Sequence, residues 1–258
     1  MFEDKKKTLL LLTWVCIIAV SLVPHRAAAL GIEAAVGYWR QDPSGDIQFF
    51  GDRLDLENDL GYGTEDKPFG RIKLDLPGPM PNVYLMATPL SFEEETARNL
   101  TFNFGGQTFA VDVPFRSKLK LDHYDIALYY SLPFVKKATL GTLNVDLGLD
   151  VRIIDFEAAV AQDLAGISAS ESFILPVPMG YAGFQLTPIK ALSLEGEVRG
   201  IAFGANRYVD VIGRVKLHVF GPLFIAGGYR YEDFKIAYQD VDTSMQFHGP
   251  FVEVGVQF

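Results

Sequence analysis

Residues 143–153, "LNVDLGLDVRI", constrain this chain more than any other stretch. Leu143, Val145, Leu147, Leu149, Val151 and Ile153 alternate with Asn144, Asp146, Gly148, Asp150 and Arg152. Successive side chains of a β-strand point to opposite faces, so the segment predicts a strand with one apolar and one strongly polar face. The split recurs in "YVDVIGRVKLHV", where Val209, Val211, Val215, Leu217 and Val219 oppose Asp210, Arg214, Lys216 and His218, and again in "RIKLDL", "LSLEGEV" and "GIEAAVGY". Strands of soluble sandwiches average about six residues. Ten residues at about 3.3 Å each, tilted near 45°, rise roughly 23 Å, the height of the apolar band of a transmembrane barrel. Alternation of this length predicts an all-β fold: an antiparallel transmembrane β-barrel.

Strands are expected near 31–40, 69–76, 82–92, 117–132, 143–160, 171–186, 191–203, 208–220, 223–238 and 246–258, about ten in all. Counts of eight or twelve stay open, because 82–92 alternates poorly and "LTFNFGGQTFAVDV" reads either as a loop hairpin or as a further strand pair. The connections "PGPMP", "PFVKKATLGT", "TPIK" and "GP" are short, whereas 41–68 and 93–116 are long. Short turns alternating with long loops, and an even strand count, predict that both ends lie in the periplasm. The chain finishes on "GPFVEVGVQF", with Val252, Val254 and Val256 alternating up to Phe258. This looks like the signal by which the barrel-assembly machinery recognises outer-membrane barrels. The same strand must close the barrel against the first, since only closure leaves no edge in lipid.

The amino terminus is expected to stand outside that domain. Lys5–Lys7, an apolar run from Leu9 to Val23 and the Ala27–Ala29 site read as a secretory signal peptide, residues 1–29, cleaved to leave a single barrel domain over 30–258. An uncleaved anchor is the alternative, but the run is shorter than the roughly 20 residues a spanning helix needs. Cys16, the only cysteine, lies in the apolar run, so no disulfide is expected in the exported domain. The formal net charge of −9 argues against nucleic acid, which demands a basic footprint.

Five segments, "ALGIEAAVGYWRQDPSG", "LDLENDLGYG", "LDHYDIALYYSL", "GGYRYEDF" and "FHGPFVEVGVQF", resemble a family of small outer-membrane β-barrel proteins of Gram-negative bacteria that carry an internal Gly-Gly turn. The resemblance covers essentially all of 30–258. It implies the fold and a place in the outer membrane, with lipids and lipopolysaccharide as surroundings, and it brings no assigned activity. No cofactor is expected, and any ligand of the loops is unknown.

Chemistry should be sought in the lumen. The polar faces collect Glu33, Asp75, Asp125, Asp146, Asp150, Glu195, Glu197, Asp210, Glu232 and Glu253 with Arg71, Lys73, Arg152, Arg199, Arg214, Lys216 and Arg230. A selective pore is expected to carry a ring of one sign. Mixed charges in a narrow barrel can pair and fill it instead. The first reading is thus a plugged barrel, structural or interacting through its loops at 41–68 and 93–116. A small-solute channel is the second, a barrel hydrolase using His123 and Asp125 the third, and a soluble lipocalin-like binder the fourth. His123 and Asp125 are two apart on one strand and share a face, and a carboxylate beside an imidazole can make it a general base, as in a ten-stranded outer-membrane protease. No nucleophile motif accompanies them, so a histidine satisfied by lumen charges is the plainer reading and the chain is expected to be non-enzymatic.

Asp55, Glu57, Asp59 and Asp66 faintly resemble a calcium loop, but Leu60 stands where the loop's glycine belongs. Anchoring of this loop over the barrel mouth by Leu54, Leu56 and Leu60 is the competing reading, and no metal is expected. Trp39, Tyr62, Tyr129, Tyr130, Tyr181, Tyr208, Tyr229 and Tyr231 fall near strand ends, where rings favour the membrane interface; sugar stacking is the alternative. Pro176 and Pro178 in "PVPMG" predict a bulge or irregular edge.

Overall fold

The structure, a computed structural model, describes residues 30–97, 101–238 and 241–258; the leader read at 1–29 lies outside the described residues. Along the chain run β1 (Gly31–Phe49), β2 (Arg53–Asp55), β3 (Glu65–Asp75), β4 (Asn82–Thr88), β5 (Ser91–Thr96), β6 (Phe102–Phe104), β7 (Gln107–Phe109) and β8 (Phe115–Ser131). They are followed by the helix α1 (Pro133–Ala138), then β9 (Leu143–Gln162), β10 (Ile167–Ile189), β11 (Leu192–Phe203), β12 (Asn206–Phe220), β13 (Leu223–Tyr238) and β14 (Val241–Gln257). Each wall strand pairs antiparallel with its neighbours, and β1 pairs with β14, so ten strands close into a barrel. β4 and β5 act as one interrupted wall strand, both pairing with β8.

Closure is completed at the last residue. Val36 lies opposite Val254, and Phe258 donates its N–H to the Ile32 carbonyl at 2.9 Å while accepting from the Ile32 N–H at 3.3 Å. The alternation read in the final strand thus joins the first strand with no free edge between them.

The loops depart from expectation in extent. β1 runs on to Phe49 and β3 begins at Glu65, which shortens the first loop to 50–64; β5 and β8 shorten the third in the same way. "FNFGGQTF", residues 102–109, is a loop hairpin, β6–β7, outside the wall, turned by Gly105 and Gly106 with φ of 58° and 73°, the left-handed geometry a two-residue turn requires. "PFVKKATLGT" is not a plain turn but holds α1, for which Pro133 supplies a preset first residue. β10 pairs with β9 along nearly its whole length but with β11 only from Gly180 onward, so 167–179, including Pro176 and Pro178, is an edge on its β11 side; the register with β9 runs through both prolines without a bulge.

Both faces of the wall exchange polarity at one level, which the sequence reading missed. In β9, Leu147, Leu149 and Val151 are exposed outside, and Asp150 and Arg152 are buried inside. Beyond the Ile153–Ile154 doublet the pattern reverses: Ile154, Phe156, Ala158 and Val160 are buried, and outside Asp155 and Glu157 pair with Lys120 and Lys118. β8 changes at the same height, because Tyr124 is opposite Ile153 and Asp122 opposite Asp155. In β1 the exposed outer residue changes from Tyr38 to Arg40, and in β13 the buried inner residue changes from Glu232 to Phe234. The pleat continues unbroken across this level; what changes is what each face meets.

Candidate functional site

Below the exchange of polarity the lumen is a lattice of ion pairs projected from alternate positions of the wall strands. Nearest the rim where β1 begins and β14 ends, Arg71 grips Glu253 through Nε and Nη2 at 3.0 and 2.7 Å and reaches Glu33 at 2.5 Å. Lys216 bridges Glu33 at 2.8 Å and Glu195 at 2.5 Å. Arg214 bridges Glu195 and Glu197 at 3.1 and 2.9 Å, and Lys73 and Arg199 also pair with Glu197, at 2.8 and 3.1 Å. Above them Arg152 holds Asp125 at 2.6 and 3.0 Å and Asp210 at 2.5 Å. Arg230 holds Asp210 at 2.9 and 3.0 Å, Glu232 at 2.5 Å and the Thr88 hydroxyl at 2.9 Å.

Each of the seven bases read into the lumen therefore meets a carboxylate, and all are buried except Lys73, which is partly so. Removing an ion from water costs several kcal/mol even after relaxation, and a lattice in which each guanidinium serves two or more carboxylates is the geometry that offsets it. Three of the ten acids stand apart. Asp75 and Asp146 accept hydrogen bonds from neutral groups, and the fully buried Asp150 has no base within ion-pair distance among the described residues.

His123 and Asp125 do share the inner face, but the structure does not join them. Asp125 is locked by Arg152. His123 Nδ1 lies 3.0 Å from the Leu121 carbonyl and must donate to it, while Nε2 faces Arg230 at 3.2 Å and Glu232 at 3.3 Å. Nε2 is thus enclosed between a guanidinium and a carboxylate, and the ring is wholly buried. A general base must reach a substrate proton, and this ring nitrogen is already taken up by two lumen side chains. The sequence period gave the shared face; the partners come from strands distant in sequence.

Five of the eight aromatics expected at the membrane interface are inside instead. Trp39, Tyr62, Tyr129, Tyr181 and Tyr208 are buried, while Tyr130 and Tyr229 are exposed outside and Tyr231 stacks on His248 there. Arg230 lies over Trp39 at 4.7 Å, Arg152 over Tyr208 at 4.8 Å, and Arg199 over Tyr84 and Tyr181 at 4.8 and 5.3 Å. These rings give the guanidinium faces cation–π contacts where carboxylates bind only the edges. The signal was available: Trp39 is in phase with Glu33, and Tyr129 with Asp125.

Above the lattice the lumen is apolar. Leu54, Leu56, Leu60 and Tyr62 of the first loop are buried with Leu90, Phe92, Phe102, Phe109, Phe115 and Phe247, so the loop is anchored over the mouth by the leucines picked out for that role. Asp55 and Asp59 serve the turn itself: Asp55 Oδ1 accepts from the backbone N–H groups of Glu57 and Asn58 at 3.1 and 2.8 Å, and Asp59 accepts from the Asp55 N–H at 2.9 Å. Among the described residues no three acidic, histidine or cysteine side chains converge as metal ligands.

No family model and no curated protein matches this chain. Among solved structures it is similar to the translocator domain of the autotransporter NalP from Neisseria meningitidis, at 11% identity and a TM-score of 0.44 over 99% of this chain and 98% of that one. It is also similar to Ail, the attachment invasion locus protein of Yersinia pestis, in complex with sucrose octasulfate, at 10% identity and 0.37 over 87% and 99%. The CymD monoaromatic hydrocarbon channel is similar at 12% identity and 0.36 over 90% and 70%. The barrel assignment rests on the closing register between β1 and β14 rather than on these likenesses.

Proposed function

We propose that the protein is an outer-membrane β-barrel with a closed lumen, conducting neither ions nor solutes, and that it acts through the charged upper wall and the loops packed on it. The observation that supports this reading is that the inner face carries paired charges in its lower part and a buried apolar cluster in its upper part. Support for the membrane comes from the outside, where Leu149 is 73% exposed within a continuous apolar belt. Exposed Tyr38, Tyr124 and Tyr229 flank the belt on the loop side, and Tyr130, Phe184, Phe220 and Phe258 on the other. Bounding rings of this kind suit the two interfaces of a bilayer.

The reading includes export by the leader, insertion by assembly machinery that reads Val252 to Phe258, and lipopolysaccharide around the upper belt. It assigns no catalysis to His123 or Asp125 and needs no cofactor. The test is planar-bilayer conductance of the refolded 30–258 chain, with insertion verified by heat-modifiable migration. Silence from inserted protein is expected; steady stepwise current would sink the closed-lumen reading and make the lattice a selectivity filter.

A further inference from the structure

The short turns at the rim where β1 begins and β14 ends carry charge of one sign. Residues 76–81, 132–142, 187–191 and 221–222 contain Lys136, Lys137 and Lys190 and no acidic residue, on a chain whose formal net charge is −9. The first loop at the other end, 50–64, holds Asp52, Asp55, Glu57 and Asp59 against Arg53 alone. All three lysines are exposed, and none makes an ion pair among the described residues. By contrast, Lys118 and Lys120 of the upper outer wall are paired with Glu157 and Asp155.

The helix α1 sorts its side chains by surroundings. Val135 and Thr139, one turn apart, are half-buried on the side of the wall, where the Thr139 hydroxyl donates to the Val135 carbonyl at 2.8 Å and accepts from the Leu143 N–H of β9 at 3.1 Å. Lys136 borders the lumen mouth. At about 100° per residue, Phe134 and Ala138 lie roughly 160° around the helix from Lys136, on the side away from the lumen. Both are exposed, Phe134 to 67%. Lys137 lies roughly 160° from Val135 and Thr139 and so points away from the wall.

The surroundings of α1 extend this pattern. Leu140 follows at φ 52° and is 96% exposed. The Thr187 N–H donates to the Thr142 carbonyl at 2.7 Å, which brings the 187–191 turn alongside with its exposed Ile189 and Lys190. The strands flanking β9 carry Tyr130 and Phe184 of the lower aromatic ring outward. Lysines in a last helical turn also offset the carbonyls there, but that role leaves Phe134, Leu140 and Ile189 in water and does not account for Lys190.

We infer that α1 and the 187–191 turn form a docking patch for anionic phospholipid of the adjoining leaflet. Phe134, Leu140 and Ile189 continue the lipid-facing belt into the acyl boundary, and Lys137 and Lys190 meet the headgroup phosphates. The inference rests on the barrel reading above, with the short turns in the periplasm. An element with apolar rings on one side and lysines on another settles in the interfacial plane of a bilayer. Near an anionic surface each lysine is worth about fivefold in association, and salt screens the effect.

Residues 30–258 contain no cysteine, so single introduced cysteines can be labelled with bimane. Ala138→Cys reports on α1 and Leu149→Cys on the belt, each in the barrel refolded into phosphatidylcholine vesicles at low ionic strength. Quenching by acyl-spin-labelled phosphatidylglycerol is compared with quenching by acyl-spin-labelled phosphatidylcholine. At position 138 the anionic lipid is expected to quench at a mole fraction at least about fivefold lower. Lys137→Gln with Lys190→Gln, or about 1 M sodium chloride, should bring the two lipids level. At position 149 they should quench alike throughout. Quenching at 149 with none at 138 overturns the inference and leaves the barrel reading standing, whereas no quenching at 149 overturns both. Equal quenching at 138 by the two lipids, or a preference that survives loss of both lysines, also overturns the inference.

Discussion

Asp210→Asn is the sharpest probe of the ion-pair lattice. Asp210 is fully buried and accepts from Arg152 at 2.5 Å and from Arg230 at 2.9 and 3.0 Å, with Arg199 3.7 Å away. Asparagine keeps the shape, removes the charge and turns one acceptor into a donor aimed at a guanidinium. Breaking a buried pair from one side costs about 3–5 kcal/mol, because the stranded charge keeps its desolvation penalty. That is a large share of a total stability of about 5–15 kcal/mol. With a urea slope near 3 kcal/mol per molar, the unfolding midpoint should fall by roughly 1–2 M. Unfolding from lipid vesicles can be followed by Trp39, the only tryptophan of residues 30–258, whose indole lies under Arg230 and donates to the Gly249 carbonyl at 3.2 Å. The control is Glu157→Gln, which breaks a partly exposed outer pair with Lys118 of similar length, 2.6 Å, and should cost at most about 1 kcal/mol. Equal midpoint shifts in the two variants would refute the reasoning and mean that water screens the lumen charges.

The loop cap and the wall make separate predictions. Leu56→Ala removes a fully buried anchor, worth about 2–5 kcal/mol, and should raise proteolytic cleavage within 50–64 at least roughly 30-fold while the barrel keeps its heat-modifiable migration. Gly148→Ala would set a Cβ 2.7 Å from Tyr129 Cα and Cβ and against the Leu128 carbonyl, forcing β8 and β9 apart at a cost of about 1–3 kcal/mol. Gly213→Ala, whose Cβ meets nothing within 4 Å, should refold with the yield of the parent chain, and equal yields for both alanine variants would show that the wall yields at Gly148.

Alternation with period two decides which face a residue takes, so the barrel was legible in the sequence and its strand count was legible as about ten, with eight and twelve left open. The anchoring leucines of the first loop were legible too, because apolar residues in an acidic loop need somewhere dry to go. Period two says nothing of neighbours around or across the barrel. Arg152 meets Asp210, Lys216 meets Glu33 and His123 meets Glu232 because closure and stagger bring β9, β12, β1, β8 and β13 to those levels. The exchange of polarity left one trace, the Ile153–Ile154 doublet, which a reading committed to one phase passes over as a break. By itself the sequence determined which residues face inward, since backbone geometry makes that a local property. Only the tertiary structure decided which charges neutralise one another and which acids remain over, because pairing energy depends on distances that the closed barrel alone defines.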